Sequence, residues 1–356
     1  MSRFLLPRYR ALEPYVPGEQ PQDRQYVKLN TNENPFPPSP RVLEAVRGEA
    51  AERLNLYPDP LAKKLREVIG REHGLGMENV FVGNGSDEVL GFAFLAYGDE
   101  EHPVVIPEIS YGFYRIFARL FRTVPREIPL NEDFTLPVEK FYHANAMVAL
   151  ANPNAPTALA LSLEDVEGIV SENSEQVVLI DEAYIAFGGE SALPLLSRYE
   201  NLLIVRTYSK SHSLAGGRLG YALASPAIIQ DLERMKGSFH PYSVNSLTLA
   251  AGVAAMEDRA YYQSCTKAIC RQREETAREL RNLGFSMTES QTNFLLARHP
   301  KLKGKDYYQA LKRRGVLVRY LSGTHLENAV RITIGTSQQM ERLLEATREI
   351  LQEAKL

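Results

Sequence analysis

The chain has 356 residues, 44% of them hydrophobic and 24% charged, with a formal net charge of −3. That composition supplies a buried core and excludes disorder, and the length allows one large or two ordinary domains. The slight acidity leaves no basic footprint for nucleic acid, and no run approaches the roughly 18 apolar residues of a membrane helix.

The first 40 residues are proline-rich, with Pro7, Pro14, Pro17, Pro21, Pro35, Pro37, Pro38 and Pro40. They predict an extended arm laid over the rest of the chain. Met1–Tyr15 holds a short apolar patch but no signal-peptide core, so no export signal is expected. Val42, Leu43, Val46 and Leu54 fit one helical face over 41–53. Short apolar runs then recur at Val80–Val82, Val104–Ile106, Met147–Leu150, Val177–Ile180, Leu202–Val205 and Leu219–Ala222. They are continuously apolar rather than alternating, as strands buried on both faces are. With helical stretches between them they predict an α/β domain around a mostly parallel sheet.

The last third changes character. A charged helix is expected over Glu257–Leu283. Its two cysteines, Cys265 and Cys270, match no zinc or redox spacing. Strands are expected at Phe294–Ala297, Val316–Val318 and Val330–Ile334, and a final helix near Gln338–Glu353. This is a smaller α+β domain that takes in the N-terminal arm. The expected division is an arm at 1–40, a large domain at 41–245 and a small domain at 246–356. The seven histidines show no paired-ligand spacing, so no metal site is expected, and free thiols point to a reduced, cytoplasmic setting.

Ligands of open parallel sheets bind beyond the carboxyl ends of the strands, so the residues following each run matter most. Gly83-Asn84-Gly85-Ser86-Asp87 reads either as a phosphate-holding loop or as a plain helix start capped by Ser86. Asp181 ends an apolar run. It is either a turn cap or a buried carboxylate that needs a cation. Lys210 is followed by small, polar and glycine-rich residues up to Arg218, which suits an amine at a binding site with Ser209 and Arg218 holding an anion.

Taken together, Asn30-Thr31-Asn32-Glu33-Asn34-Pro35, Gly85-Ser86-Asp87-Glu88, Asn152-Pro153-Asn154-Ala155-Pro156-Thr157, Asp181-Glu182-Ala183-Tyr184 and Arg206-Thr207-Tyr208-Ser209-Lys210 through Arg218 resemble the fold-type I aminotransferases that use pyridoxal 5'-phosphate. Within these they are most similar to the histidinol-phosphate aminotransferase family. The resemblance implies a large domain with a mostly parallel central sheet between helices, plus a smaller α+β domain. It implies transamination of L-histidinol phosphate with 2-oxoglutarate in a homodimer with shared sites. An aromatic amino acid aminotransferase and a threonine-phosphate decarboxylase-like lyase are the alternatives.

The resemblance also implies roles. Lys210 would bind the cofactor covalently and shuttle a proton, and Asp181 would pair with its pyridine nitrogen. Asn154 and Tyr184 would bond its phenolic oxygen, and Tyr111 would stack on its ring or simply pack in the core. Gly85, Ser86, Asp87, Ser209 and Arg218 would hold its phosphate, with Tyr57 reaching in from the other subunit. Arg319 and Arg331 would bind substrate anions. Tyr15 would close over the substrate from the partner or anchor the arm, and Asn34 would lie near the substrate. Ala158, Ala186 and Gly217 depart from the family pattern.

Overall fold

A computed structural model describes residues 2–10, 12–323 and 325–356. Met1 and Ala11 of the expected arm lie outside the described residues. The arm contributes a short strand, β1 (Val27–Lys28). The apolar runs form β2 (Val80–Gly83), β3 (Val104–Pro107), β5 (Met147–Ala151), β6 (Val178–Asp181), β7 (Leu202–Thr207) and β8 (Gly220–Ala224), joined by an edge strand β4 (Pro125–Ile128). They make one seven-stranded sheet in the order β2-β8-β7-β6-β5-β3-β4.

Alternate residues of each strand serve different cores, which is why the runs are apolar without a break. Val148, Leu150, Val178, Ile180, Leu202 and Ile204 pack with Leu65 and Ile69 of the helix Lys63–His73. Met147, Ala149, Leu179, Leu203 and Val205 pack on the other face with Phe94 and Tyr114.

The sheet is parallel except at β8, which runs antiparallel to both β2 and β7. That reversal matters for function. Arg218, two residues before β8, therefore stands at the same edge as the carboxyl ends of β2, β5, β6 and β7.

The expected helix over 41–53 is broken. Pro40–Arg47 and Glu49–Glu52 are separate turns, because Gly48 leaves helical geometry at φ −85° and ψ −150°. The charged helix runs over Arg259–Asn282, and the last helix over Ser337–Glu353 begins with a reciprocal Thr336–Gln339 cap.

In the C-terminal part, β9 (Ser286–Met287), β10 (Phe294–Arg298), β12 (Arg319–Tyr320) and β13 (Ala329–Thr333) form an antiparallel sheet in the order β12-β13-β10-β9. The expected strand Val316–Val318 is divided. Its start, β11 (Val316–Leu317), pairs in parallel with β1, and the chain then crosses to β13 through β12. The arm is further tied down by Arg24, whose guanidinium donates to the carbonyls of Lys312 and Arg313. Among the described residues no helix is long and apolar enough to cross a membrane.

Candidate active site

The carboxyl edge of the sheet opens into a chamber of about 280 Å³ lined by Ser86, Asp87, Tyr111, Asp181, Tyr184, Ser209, Lys210 and Arg218. At its base β2 turns through Gly85, which has φ +80° and is itself the cap residue of the helix Ser86–Tyr97. Ser86 is thus the first helical residue and not the cap, and its side chain makes no capping bond. The free N–H groups and positive dipole end of this helix point at the chamber. The positive φ is one that L side chains rarely adopt, so this turn favours glycine, and a Cβ there would also crowd Nη2 of Arg218 at 2.5 Å.

Arg218 donates to Oδ2 of Asp87 at 3.0 Å, and the Tyr111 hydroxyl donates to Oδ1 at 2.8 Å. A carboxylate repels an anion, so the side chain of Asp87 orients Arg218 and Tyr111, while its backbone N–H belongs to the anion-binding helix start.

Asp181 is buried at the end of β6. Burial is the main influence on its carboxyl and pushes it up to about 7. Tyr114 donates to it at 3.1 Å and the Ala183 N–H at 3.1 Å, and both pull the other way. The turn-cap and buried-carboxylate readings are therefore both realised in one side chain. Among the described residues no cation pairs with it.

Lys210 Nζ reaches the Thr31 carbonyl at 3.4 Å and stands 5.9 Å from the centre of the Tyr184 ring. Tyr184 accepts a hydrogen bond from Asn32 Nδ2 at 2.8 Å.

Asn154 and Asn34 do not line the chamber. The Asn154 amide donates to Ile109 O and Thr157 Oγ1, both at 2.9 Å, and its oxygen accepts from Ser110 at 2.8 Å. The neighbour that does line the chamber is Ala155. Asn34 is likewise occupied. It donates to the Lys210 carbonyl at 2.9 Å and accepts from Phe36 N–H, so it fixes the backbone that carries the lysine.

Ala158, the first departure, has φ +66°, a left-handed conformation that costs an L side chain about 1–2 kcal/mol and that glycine adopts freely.

A second chamber of about 440 Å³ shares the walls Tyr111 and Ala155 with the first and is also lined by Tyr15, Arg319 and Arg331. Tyr15 lies 4.6 Å from Phe113, ring to ring, in its own chain. It thus lines a chamber of its own chain. The reason is Arg319, which donates to the carbonyls of Val16 at 2.8 Å and Pro17 at 3.1 Å and pins the arm. Arg331 donates to Asn30 O at 3.2 Å, and its Nε is buried without a partner. Burial, the largest influence, works against its charge, and among the described residues no carboxylate pairs with it. A guanidinium left this way is a site for an anion.

Tyr57 reaches neither chamber. It is 81% exposed, stacks on Tyr242 at 4.6 Å, and lines a surface groove of about 700 Å³ with Leu56 and Val253.

Sequence reasoning missed Tyr114, one turn after Tyr111, and Asn32, Thr31 and Glu33, which stand in a quoted motif but received no role. Glu33 lines the inner chamber and pairs with Lys28 at 2.7 Å. Burial pushes its carboxyl up, yet the Lys28 pairing wins and leaves it below its ordinary value.

A family model described as aminotransferase class I and II matches residues 24–346. The chain belongs to this family. It is 44% identical over 351 residues to a curated histidinol-phosphate aminotransferase of Clostridium acetobutylicum, covering 99% of this chain and 100% of that one. It is 45% identical over 346 residues to one of Chromohalobacter salexigens, covering 97% and 98%. Among solved structures, histidinol-phosphate aminotransferase from Sinorhizobium meliloti in complex with pyridoxal-5'-phosphate superposes with a TM-score of 0.87 at 26% identity, over 98% of this chain and 99% of that one. The fold is that of the fold-type I aminotransferases, and the chain is an aminotransferase.

Proposed function

We propose that this enzyme transfers the amino group of L-histidinol phosphate to 2-oxoglutarate, forming imidazole acetol phosphate and L-glutamate in histidine biosynthesis, with pyridoxal 5'-phosphate as cofactor. The observation that carries the reading is Asp181, a buried carboxylate held near neutrality for want of a cation, in one chamber with Lys210 and an anion-binding helix start. A phosphorylated pyridinium aldehyde meets all three demands. When bound, that group supplies an electron sink for the carbanion formed at the substrate Cα.

The chain's own residues divide the remaining work. Lys210 Nζ would hold the cofactor and, once displaced by the substrate amine, carry the proton to and from the substrate Cα. Asp181 would keep the ring nitrogen protonated, and the Tyr184 hydroxyl would donate to the phenolic oxygen. Tyr111 would cover one ring face. Ser86, the N–H groups at Ser86 and Asp87, Ser209 and Arg218 would hold the phosphate. Arg331 would take the phosphate ester of histidinol phosphate in one half-reaction and a carboxylate of glutamate in the other. Tyr15 and Arg319 would close that chamber.

The domain division at 40/41 and 245/246 belongs to the same reading, as does a cytoplasmic homodimer. Leu54, Leu56 and Tyr57 expose apolar surface around the groove of Tyr57, which supports a second copy seated there. Tyr57 would then reach the partner's cofactor phosphate.

The test is a steady-state comparison of amino donors with 2-oxoglutarate as acceptor. Glutamate formation with histidinol phosphate at a kcat/KM well above that with phenylalanine supports the reading. A preference for phenylalanine moves the enzyme to the aromatic amino acid aminotransferases.

A further inference from the structure

Tyr184 is held by a short chain of hydrogen bonds that ends on the substrate-binding strand. The Thr333 hydroxyl accepts from Asn32 N–H at 2.9 Å and stands 3.1 Å from Asn32 Oδ1, to which it donates. With one lone pair taken by the Asn32 N–H, the Thr333 hydroxyl gives its single proton to Asn32 Oδ1, and that bond favours the amide orientation that turns Nδ2 away from Thr333. Asn32 Nδ2 is thereby aimed at the Tyr184 oxygen, 2.8 Å away. A phenol oxygen that accepts here must turn its single proton elsewhere. Among the described residues the Tyr184 hydroxyl donates to nothing, and Tyr184 lines the chamber of Lys210. Asn32 and Thr333 are both buried, and Asn32 is held at φ +55°, so the arrangement is rigid.

We infer that Asn32 is a positioning residue which, oriented by Thr333, makes Tyr184 an obligate proton donor into the cofactor chamber. Tyr184 then donates to the cofactor's phenolic oxygen. The inference rests on the pyridoxal phosphate reading. A donor at that oxygen draws off negative charge and lowers the proton affinity of the adjacent nitrogen bonded to Lys210.

The test is the pH midpoint of the bound cofactor's visible absorbance, read without substrate. Tyr184→Phe is expected to raise the midpoint by about one pH unit, the scale of one hydrogen bond to a charged group. Asn32→Asp, whose carboxylate takes the tyrosine proton for itself, is expected to raise it nearly as far. In a Tyr184→Phe background Asn32→Asp is expected to add no shift. Thr333→Val, a milder change, is expected to move the midpoint the same way by less. An unchanged midpoint in Asn32→Asp overturns the inference, and so does an equal shift with and without the tyrosine hydroxyl. If Asn32→Asp fails to fold, Thr333→Val decides, and no shift there overturns it. If the unaltered protein binds no pyridoxal phosphate, the functional reading itself has failed, which separates the two.

Discussion

Tyr114 donates its hydroxyl proton to Oδ2 of Asp181 at 3.1 Å, and both residues are buried. The bond favours the ionised carboxyl, but burial outweighs it and leaves Asp181 at about 7 against an ordinary 3.8. The folded cofactor-free protein thus keeps a proton that the unfolded chain has already lost. Its stability falls as pH rises through that window, by up to about 4 kcal/mol for a shift of this size. Thermal unfolding of the cofactor-free protein from about pH 4 to about pH 8 should show the fall, and Asp181→Asn should flatten it. Pyridoxal phosphate should flatten it too, since a cationic ring returns Asp181 to its charged state.

Lys210→Ala should bind the cofactor without the visible band of the covalent complex and lose more than about 10³-fold in kcat. Spectra and turnover of the purified variant check both. Turnover near the original rate would place the amine elsewhere.

Arg331 and Arg319 should separate by their existing partners. Arg331 has an unpartnered buried Nε, whereas two Arg319 donors hold the carbonyls of Val16 and Pro17. Arg331→Gln should cost about 2–5 kcal/mol in kcat/KM for both histidinol phosphate and glutamate. Arg319→Gln should act mainly through the loosened arm, with a smaller rise in KM and faster proteolysis before Val27.

Tyr57→Ala and Lys210→Ala should complement each other if the site is shared between subunits. A mixed dimer then holds one intact site and should recover about half the activity of the unaltered dimer. No recovery on mixing, with exchange verified by mass, would make each chain self-sufficient.

Asn154→Ala should lower stability by about 1–3 kcal/mol, because Ile109 O, Thr157 and Ser110 lose their partner. The midpoint of the cofactor absorbance should stay where it was. A rise there would return Asn154 to the cofactor ring.

Legibility in the sequence followed the sheet. Asp181 and Lys210 could be placed because one closes a doubly buried strand and the other follows one by three residues, and such ends converge by topology. Arg218 could be singled out only as a charge beside Lys210. What brings it to the same edge is the reversal of β8, which an apolar run does not disclose. The backbone partners of Asn154 and Asn34 could not be foreseen, because an amide in a loop has several within reach and a motif does not say which it takes. The bond of Asn32 to Tyr184 crosses 152 positions and depends on how the arm packs against β13. The Arg319 contacts that pin the arm beside Tyr15 likewise span 302 and 303 positions.

The decisive measurement is a half-reaction without acceptor. Purified enzyme loaded with pyridoxal phosphate is mixed with L-histidinol phosphate alone, and its visible absorbance is followed. A rapid loss of the band, restored by 2-oxoglutarate with one glutamate formed per site, is the expected result. A band that stays unchanged with histidinol phosphate but bleaches with another donor would contradict the proposed substrate.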